Sequence, residues 1–137
     1  MTMLFLDTNI VIDLVSPRPP FTGFAQKIFS RSQRLKIELY VSALSIPNIH
    51  YLLTKFSDKE QAKQILLKIK PLIHILPLND KIIQLALASD FSDFEDAIQY
   101  YTALEHNITT LITRDLKDFK KASINVMTAE QYLGMSH

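Results

Sequence analysis

Three aspartates stand where apolar segments end or helices begin. Asp7 closes the run Met3-Leu4-Phe5-Leu6, and Asp115 follows Leu111-Ile112-Thr113-Arg114. Asp96 belongs to the acidic opening Asp93-Phe94-Glu95-Asp96 of a helical stretch. Carboxylates gathered at one place repel each other, and a divalent cation removes that repulsion. Hard oxygen ligands without histidine or cysteine company select Mg2+ or Mn2+ over zinc. Such a metal acidifies water and stabilises charge on phosphate oxygens, so the implied chemistry is phosphoryl transfer to water.

Each acid also has a purely structural use. Asp7 can cap a helix that begins at Thr8. Glu95 and Asp96 can complement the positive end of a helix dipole. Asp93 reads as a turn or cap residue with a smaller claim on the metal. Asp118 lies further from its strand end than Asp115. Asp13, Asp58, Asp80 and Asp90 read as solvated or capping residues.

The elements that must position these acids alternate between short strand-like runs and longer helical ones. Thr2 to Leu6, Ile37 to Val41, Leu72 to Leu76, Thr109 to Thr113 and Ile124 to Met127 read as strands, mostly apolar on both faces. Helical spacing marks the stretch from Thr8 to Val15, then Phe24 to Leu35, Ser45 through Leu53 and Asp58 to Ile69. It returns over Lys81 to Ala88, Glu95 to Glu105 and the short capped segment Thr128 to Leu133. Ser57 precedes Glu60 by three residues and Ser92 precedes Glu95 by three, the spacing of a capping box. Pro17, Pro19 and Pro20 end the first helix in an extended loop. Strands alternating with helices give parallel pairing through right-handed crossovers. The expected fold is a three-layer α/β/α sandwich around a mainly parallel sheet of about five strands. In such a sheet ligands bind beyond the carboxyl ends of the strands, where the strand order reverses. Asp7 and Asp115 fall at that edge.

Composition narrows the field. A chain of 137 residues, 47% hydrophobic and 21% charged, reads as one globular domain over residues 1–137. It has no cysteine, which excludes disulfides and thiolate-held zinc. The two glycines, Gly23 and Gly134, form neither a phosphate-binding loop nor a dinucleotide fingerprint. The expected location is the cytoplasm, since neither a signal peptide nor an apolar run of membrane-spanning length is visible. A net charge of +1 gives no bulk attraction to nucleic acid, so any electrostatic footprint must be local. Arg114, Lys117, Lys120 and Lys121 surround the last acid, and Arg114 and Lys117 are the candidates for a phosphate backbone.

Together these segments resemble the PIN domain, the fold of metal-dependent ribonucleases that include VapC-like toxins of toxin–antitoxin pairs. Leu4-Phe5-Leu6-Asp7-Thr8-Asn9 is similar to the family's first motif. Asp96-Ala97 with Tyr101-Thr102-Ala103-Leu104 is similar to its third, and Thr113-Arg114-Asp115 with Asp118-Phe119 to its fourth. The resemblance implies an endoribonuclease using Mg2+ or Mn2+, with Asp7, Asp96 and Asp115 as metal ligands. Thr8, Asn9 and Thr113 would support them. It implies in-line attack of water on phosphorus, leaving a 5′-phosphate and a 3′-hydroxyl. It also implies an RNA substrate, a small antitoxin protein as partner, and a homodimer. Many family members carry a glutamate early in the helix after the second strand. Here Asn48 stands at that place. An amide can hold a ligand water but adds no charge, so weaker metal binding is expected unless Glu95 or Asp93 compensates. A PIN-like module that binds RNA or protein without turnover is the alternative.

Other constellations are weaker. His50, His74, His106 and His137 are scattered. His50 and His74 read as satisfied or half-buried residues of an apolar helix and strand, and His106 as a helix C-terminal residue. Tyr100 and Tyr101 read as packing residues. A receiver-like phosphotransfer domain would need paired acids after the first strand and a lysine after the last, and neither is present.

Overall fold

The computed structural model describes residues 2–135; His137 lies outside them. Strands β1 (Thr2–Leu6), β2 (Ile37–Ser42), β3 (His74–Leu76), β4 (Thr110–Ile112) and β5 (Asn125–Met127) form one sheet in the order β3-β2-β1-β4-β5. All four pairings are parallel. Helices α1 (Thr8–Val15), α2 (Phe21–Arg34), α3 (Ser45–Phe56), α4 (Lys59–Ile69), α5 (Asp80–Leu87), α6 (Phe94–Glu105) and α7 (Ala129–Leu133) supply the crossovers and the outer layers. This is the expected sandwich.

The central strand shows why β1 is apolar at nearly every position. Side chains alternate between faces. Leu4 and Leu6 join Leu39, Val41 and Ile112 in a core with α1, α2, α3 and α4. Phe5 joins Leu111 in a second core with Tyr100 and Ala103 of α6. A strand buried on both faces cannot alternate apolar with polar.

The chain runs from β1 outward through β2 to β3, then returns to the other side of β1 for β4 and β5. The order therefore reverses between β1 and β4. Register finishes the placement: Leu6 pairs with Ile112, and Ile112 with Met127. Asp7 N–H then donates to Ile112 O at 2.9 Å, and Thr113 N–H to Met127 O at 3.0 Å. Asp7 and Thr113 emerge side by side at the switch point.

Local chemistry moved several boundaries. The third strand is shorter than the apolar run suggests. Lys70–Leu72 form a 3-10 turn around Pro71, which has no N–H to offer a sheet. The second helix starts at Phe21 rather than Phe24, accommodating Gly23 in its first turn. Thr22 Oγ1 ties the preceding loop, accepting from Arg18 N–H at 2.7 Å and donating to Ser16 O at 3.2 Å.

Neither serine capping box forms. Asp58 caps α4 by accepting from Gln61 N–H at 2.8 Å, while Ser57 Oγ donates back to Leu53 O. Asp93 caps α6 by accepting from Asp96 N–H at 2.9 Å. In each pair the residue after the serine is an aspartate, a competing cap of equal strength. A reciprocal box does form at α7, between Thr128 and Gln131. Among the described residues no helix is long and apolar enough to cross a membrane.

Candidate active site

The Asp7 carboxylate is 6% exposed and does two things at once. Its Oδ1 accepts from Thr8 N–H at 2.8 Å, capping α1. Its Oδ2 accepts from the Thr113 hydroxyl, also at 2.8 Å. Burial raises its pKa, and the bonds from Thr113 and Thr8 oppose that rise. The expected cap therefore forms, and the second carboxylate oxygen is held by Thr113.

Thr113 is fully buried and joins two of the acids. Its hydroxyl donates to Asp7 and accepts from Asp115 N–H at 3.1 Å. The Asp115 side chain, in turn, is approached by Asn9 Nδ2 at 3.5 Å, the outer limit of a hydrogen bond. Thr113→Val keeps the volume but leaves a buried carboxylate oxygen without its donor. An unmade bond of that kind costs about 1–3 kcal/mol. Denaturant titration should register a loss of that order, and an unchanged midpoint would refute the bridging role.

Asp96 projects from the first turn of α6 into a cleft of about 340 Å³. Asp7, Thr8, Asn9, Asn48 and Glu95 share its lining. Its carboxyl is pushed up to about 7, by burial first and then by the charges of Asp93, Asp7, Asp118 and Asp115. That list of perturbers is the electrostatic signature of acids converging from three segments of the chain. Asp93 is exposed and spent on capping, and Glu95 is exposed at the cleft rim. Asp118 lines a different, smaller cleft with Lys117, Lys120 and Lys121.

Among the described residues, no three His, Cys, Asp or Glu side chains are drawn close enough to hold a metal ion. In donor chemistry the set still fits a hard divalent cation: carboxylate and amide oxygens, with no sulfur or imidazole. Asp7 and Asp96 line that cleft with Asn48 as a neutral neighbour, and Asp115 lines the adjoining one; these three acids are the ones that would hold the ion.

Beneath the acids lies a polar support in which Thr8 was expected and Ser45 and Gln99 were not. Thr8 Oγ1 and Ser45 Oγ share a hydrogen bond of 2.6 Å. Gln99 Nε2 donates to both, at 3.2 and 3.3 Å. Ser45 and Gln99 are buried. Gln99 follows Asp96 by three residues and Ser45 precedes Asn48 by three, so each shares a helix face with a candidate ligand. That spacing was the available signal. Tyr51 and Lys55 were also missed. They line the same cleft, with Lys55 Nζ 4.6 Å from the Tyr51 ring centroid.

Several expectations need correction. Asp13 is not solvated: it is 1% exposed, and its Oδ2 lies 3.1 Å from Arg114 Nε. The same guanidinium sits 4.5 Å from the Phe21 ring centroid. These contacts occupy the side chain that the sequence offered to a phosphate. His74 is largely exposed, stacked on Tyr40 and paired with Glu38 at 3.2 Å. His106 caps α6 with Nδ1 2.9 Å from Thr102 O, as its position suggested. Tyr100 packs in the core, its hydroxyl 2.7 Å from Ser123 Oγ.

A parallel sheet with acids collected beyond β1 and β4, at its switch point, defines an α/β domain with an oxygen-rich edge site. The chain belongs to the PIN domain family, whose model matches residues 3–117. Solved structures share the fold. A toxin–antitoxin complex from Klebsiella pneumoniae is 24% identical with a TM-score of 0.70, over 92% of this chain and 97% of that one. VapBC-1 from nontypeable Haemophilus influenzae is 21% identical with a TM-score of 0.70, over 94% and 99%. Mycobacterium tuberculosis VapC20, described as a sarcin-ricin loop cleaving toxin, is 14% identical with a TM-score of 0.64, over 79% and 86%. No curated protein matches by sequence.

Proposed function

We propose that the chain is a metal-dependent endoribonuclease, the toxin of a toxin–antitoxin pair. The observation that carries this reading is the placing of Asp7 and Asp115 just beyond the ends of β1 and β4, joined through Thr113, with Asp96 in the cleft beside Asp7. Family membership and the toxin complexes among the structural neighbours support it. When bound, Mg2+ or Mn2+ supplies the charge that draws a phosphodiester to these acids and acidifies water for attack on phosphorus.

The chain's own residues have separable tasks. Thr113 fixes the Asp7 carboxylate and the Asp115 backbone relative to each other. The Thr8–Ser45–Gln99 bonds hold the start of α1 against α3 and α6. Lys55 on the cleft wall can meet a phosphate, and the exposed Tyr51 ring can meet a base. Lys117, with Lys120 and Lys121, can follow the backbone further out. Action in the cytoplasm, a homodimer and a small antitoxin partner complete the reading.

The test is cleavage of RNA with Mg2+ or Mn2+ by the wild type and by Asp7→Ala. Products with 5′-phosphate and 3′-hydroxyl ends, lost with chelator and in the variant, are expected. Equal cleavage by both proteins would remove the proposed site. The Asn48 position favours a second reading, a PIN module that binds without turnover.

A further inference from the structure

Thr8, Ser45 and Gln99 hold one more hydrogen than they can use among themselves. The Gln99 amide gives one N–H to Thr8 Oγ1 at 3.2 Å and the other to Ser45 Oγ at 3.3 Å. Its carbonyl oxygen is buried and bonds to neither hydroxyl. The hydroxyls lie 2.6 Å apart, so one donates to the other and one hydrogen is left over. Ser45 is fully buried, and among the described residues its hydroxyl meets only Thr8 and Gln99. Were Thr8 the donor, the Ser45 hydrogen would be buried with no acceptor, a state that folded proteins rarely tolerate. Ser45 is therefore the donor, and the Thr8 oxygen accepts twice, which fills its acceptor capacity. The spare hydrogen is Thr8's own. Thr8 is half-buried and lines the cleft of Asp7 and Asp96, so that hydrogen has the cleft to point into.

We propose that Ser45 and Gln99 are positioning residues that make the Thr8 hydroxyl a fixed donor to a non-bridging oxygen of the substrate phosphodiester. The ionised acids of this cleft offer only acceptors, and so do the non-bridging oxygens of a phosphodiester. A hydroxyl held in the donating sense answers that mismatch at one oxygen. The hydrogen bond that it receives from Ser45 strengthens the one that it gives. As the first residue of α1, Thr8 keeps this donor next to Asp7. The inference rests on the nuclease reading and names the group that tells the two non-bridging oxygens apart.

Neutron diffraction from the deuterated protein locates the hydrogens directly. The Ser45 deuteron is expected on the line to Thr8 Oγ1 and the Thr8 deuteron in the cleft; a Thr8 deuteron aimed at Ser45 overturns the proposal. The contact itself is read with the Rp and Sp forms of dithymidine phosphorothioate, titrated by calorimetry in Mn2+. Sulfur accepts poorly, so the form that turns sulfur towards Thr8 should bind at least about fivefold more weakly than the other. Thr8→Val should abolish that gap and Thr8→Ser should keep it. Ser45→Ala, which releases the hydroxyl to rotate, should narrow it. Equal binding of both forms by the wild type, or a gap that Thr8→Val leaves untouched, overturns the proposal. So does a Thr8→Val protein that loses affinity for both forms alike, the mark of lost packing. If Thr8→Val fails to fold, an unchanged gap in Ser45→Ala is equally fatal. RNA cleavage is scored separately. Cleavage without a gap between the two forms sinks the donor alone, and a gap without cleavage sinks the nuclease reading alone.

Discussion

Asp96→Asn should lower metal-dependent RNA cleavage by at least about a hundredfold and, at the same time, make the metal-free protein more stable at pH 8. The first effect follows from the proposed role of Asp96 as a charged ligand, since even the outer partners of metal ligands are worth ~10–100-fold in affinity or activity. The second follows from the position of its carboxyl, pushed up to about 7 from 3.8 by burial and by Asp93, Asp7, Asp118 and Asp115. A carboxyl whose folded-state pKa exceeds its unfolded value binds more protons when folded. Its contribution to stability is full below about pH 4 and is lost as the pH rises through about 7. Asp7 and Asp13 are raised as well and act in the same direction.

Thermal melts without metal should therefore show the wild-type Tm falling between pH 5 and pH 8, with a shallower fall in Asp96→Asn. Mg2+ or Mn2+ should restore the wild type at pH 8 and do little at pH 5, where protons already neutralise Asp96. Metal affinity should rise with pH through about 7 for the same reason, because binding must displace that proton. Identical pH slopes in the two proteins would show that Asp96 is not the strained group. The trade is physical: burying Asp96 among other acids costs stability wherever its carboxyl is charged.

How much of this was visible in the sequence depended on whether a residue's partners were local. The central strand was legible because burial on both faces leaves a continuous apolar run, and the acid after it marks the edge where ligands bind. Asp115 is placed by the same logic and Asp96 by the acidic opening of its helix, and the structure finds both at those positions. The caps of α4 and α6 were not, because Ser57-Asp58 and Ser92-Asp93 each offer two capping side chains, and spacing cannot choose between them. Asp13 was misread because its partner Arg114 lies on a distant segment, and only folding buries this helix aspartate against an arginine. Gln99 and Ser45 stayed hidden because a polar residue on a helix looks solvated until the helix face it occupies is known.

Asn48→Glu tests the remaining departure from the family pattern. Asn48 lines the same cleft as Asp7, Glu95 and Asp96. A glutamate there adds a charged oxygen for a divalent ion, and it also adds repulsion against acids that already crowd one another. Two effects of opposite sign should appear in the same protein. Metal affinity should rise by roughly 10–100-fold, and the metal-free Tm at pH 8 should fall below the wild-type value. If cleavage rises with affinity, the native site is an attenuated nuclease whose limit is its charge count. If affinity rises while neither protein cleaves RNA, the chain is the binding module, and the acids serve a cation that holds a partner in place. If neither affinity nor Tm moves, Asn48 does not face the ion and Glu95 is the next position to replace.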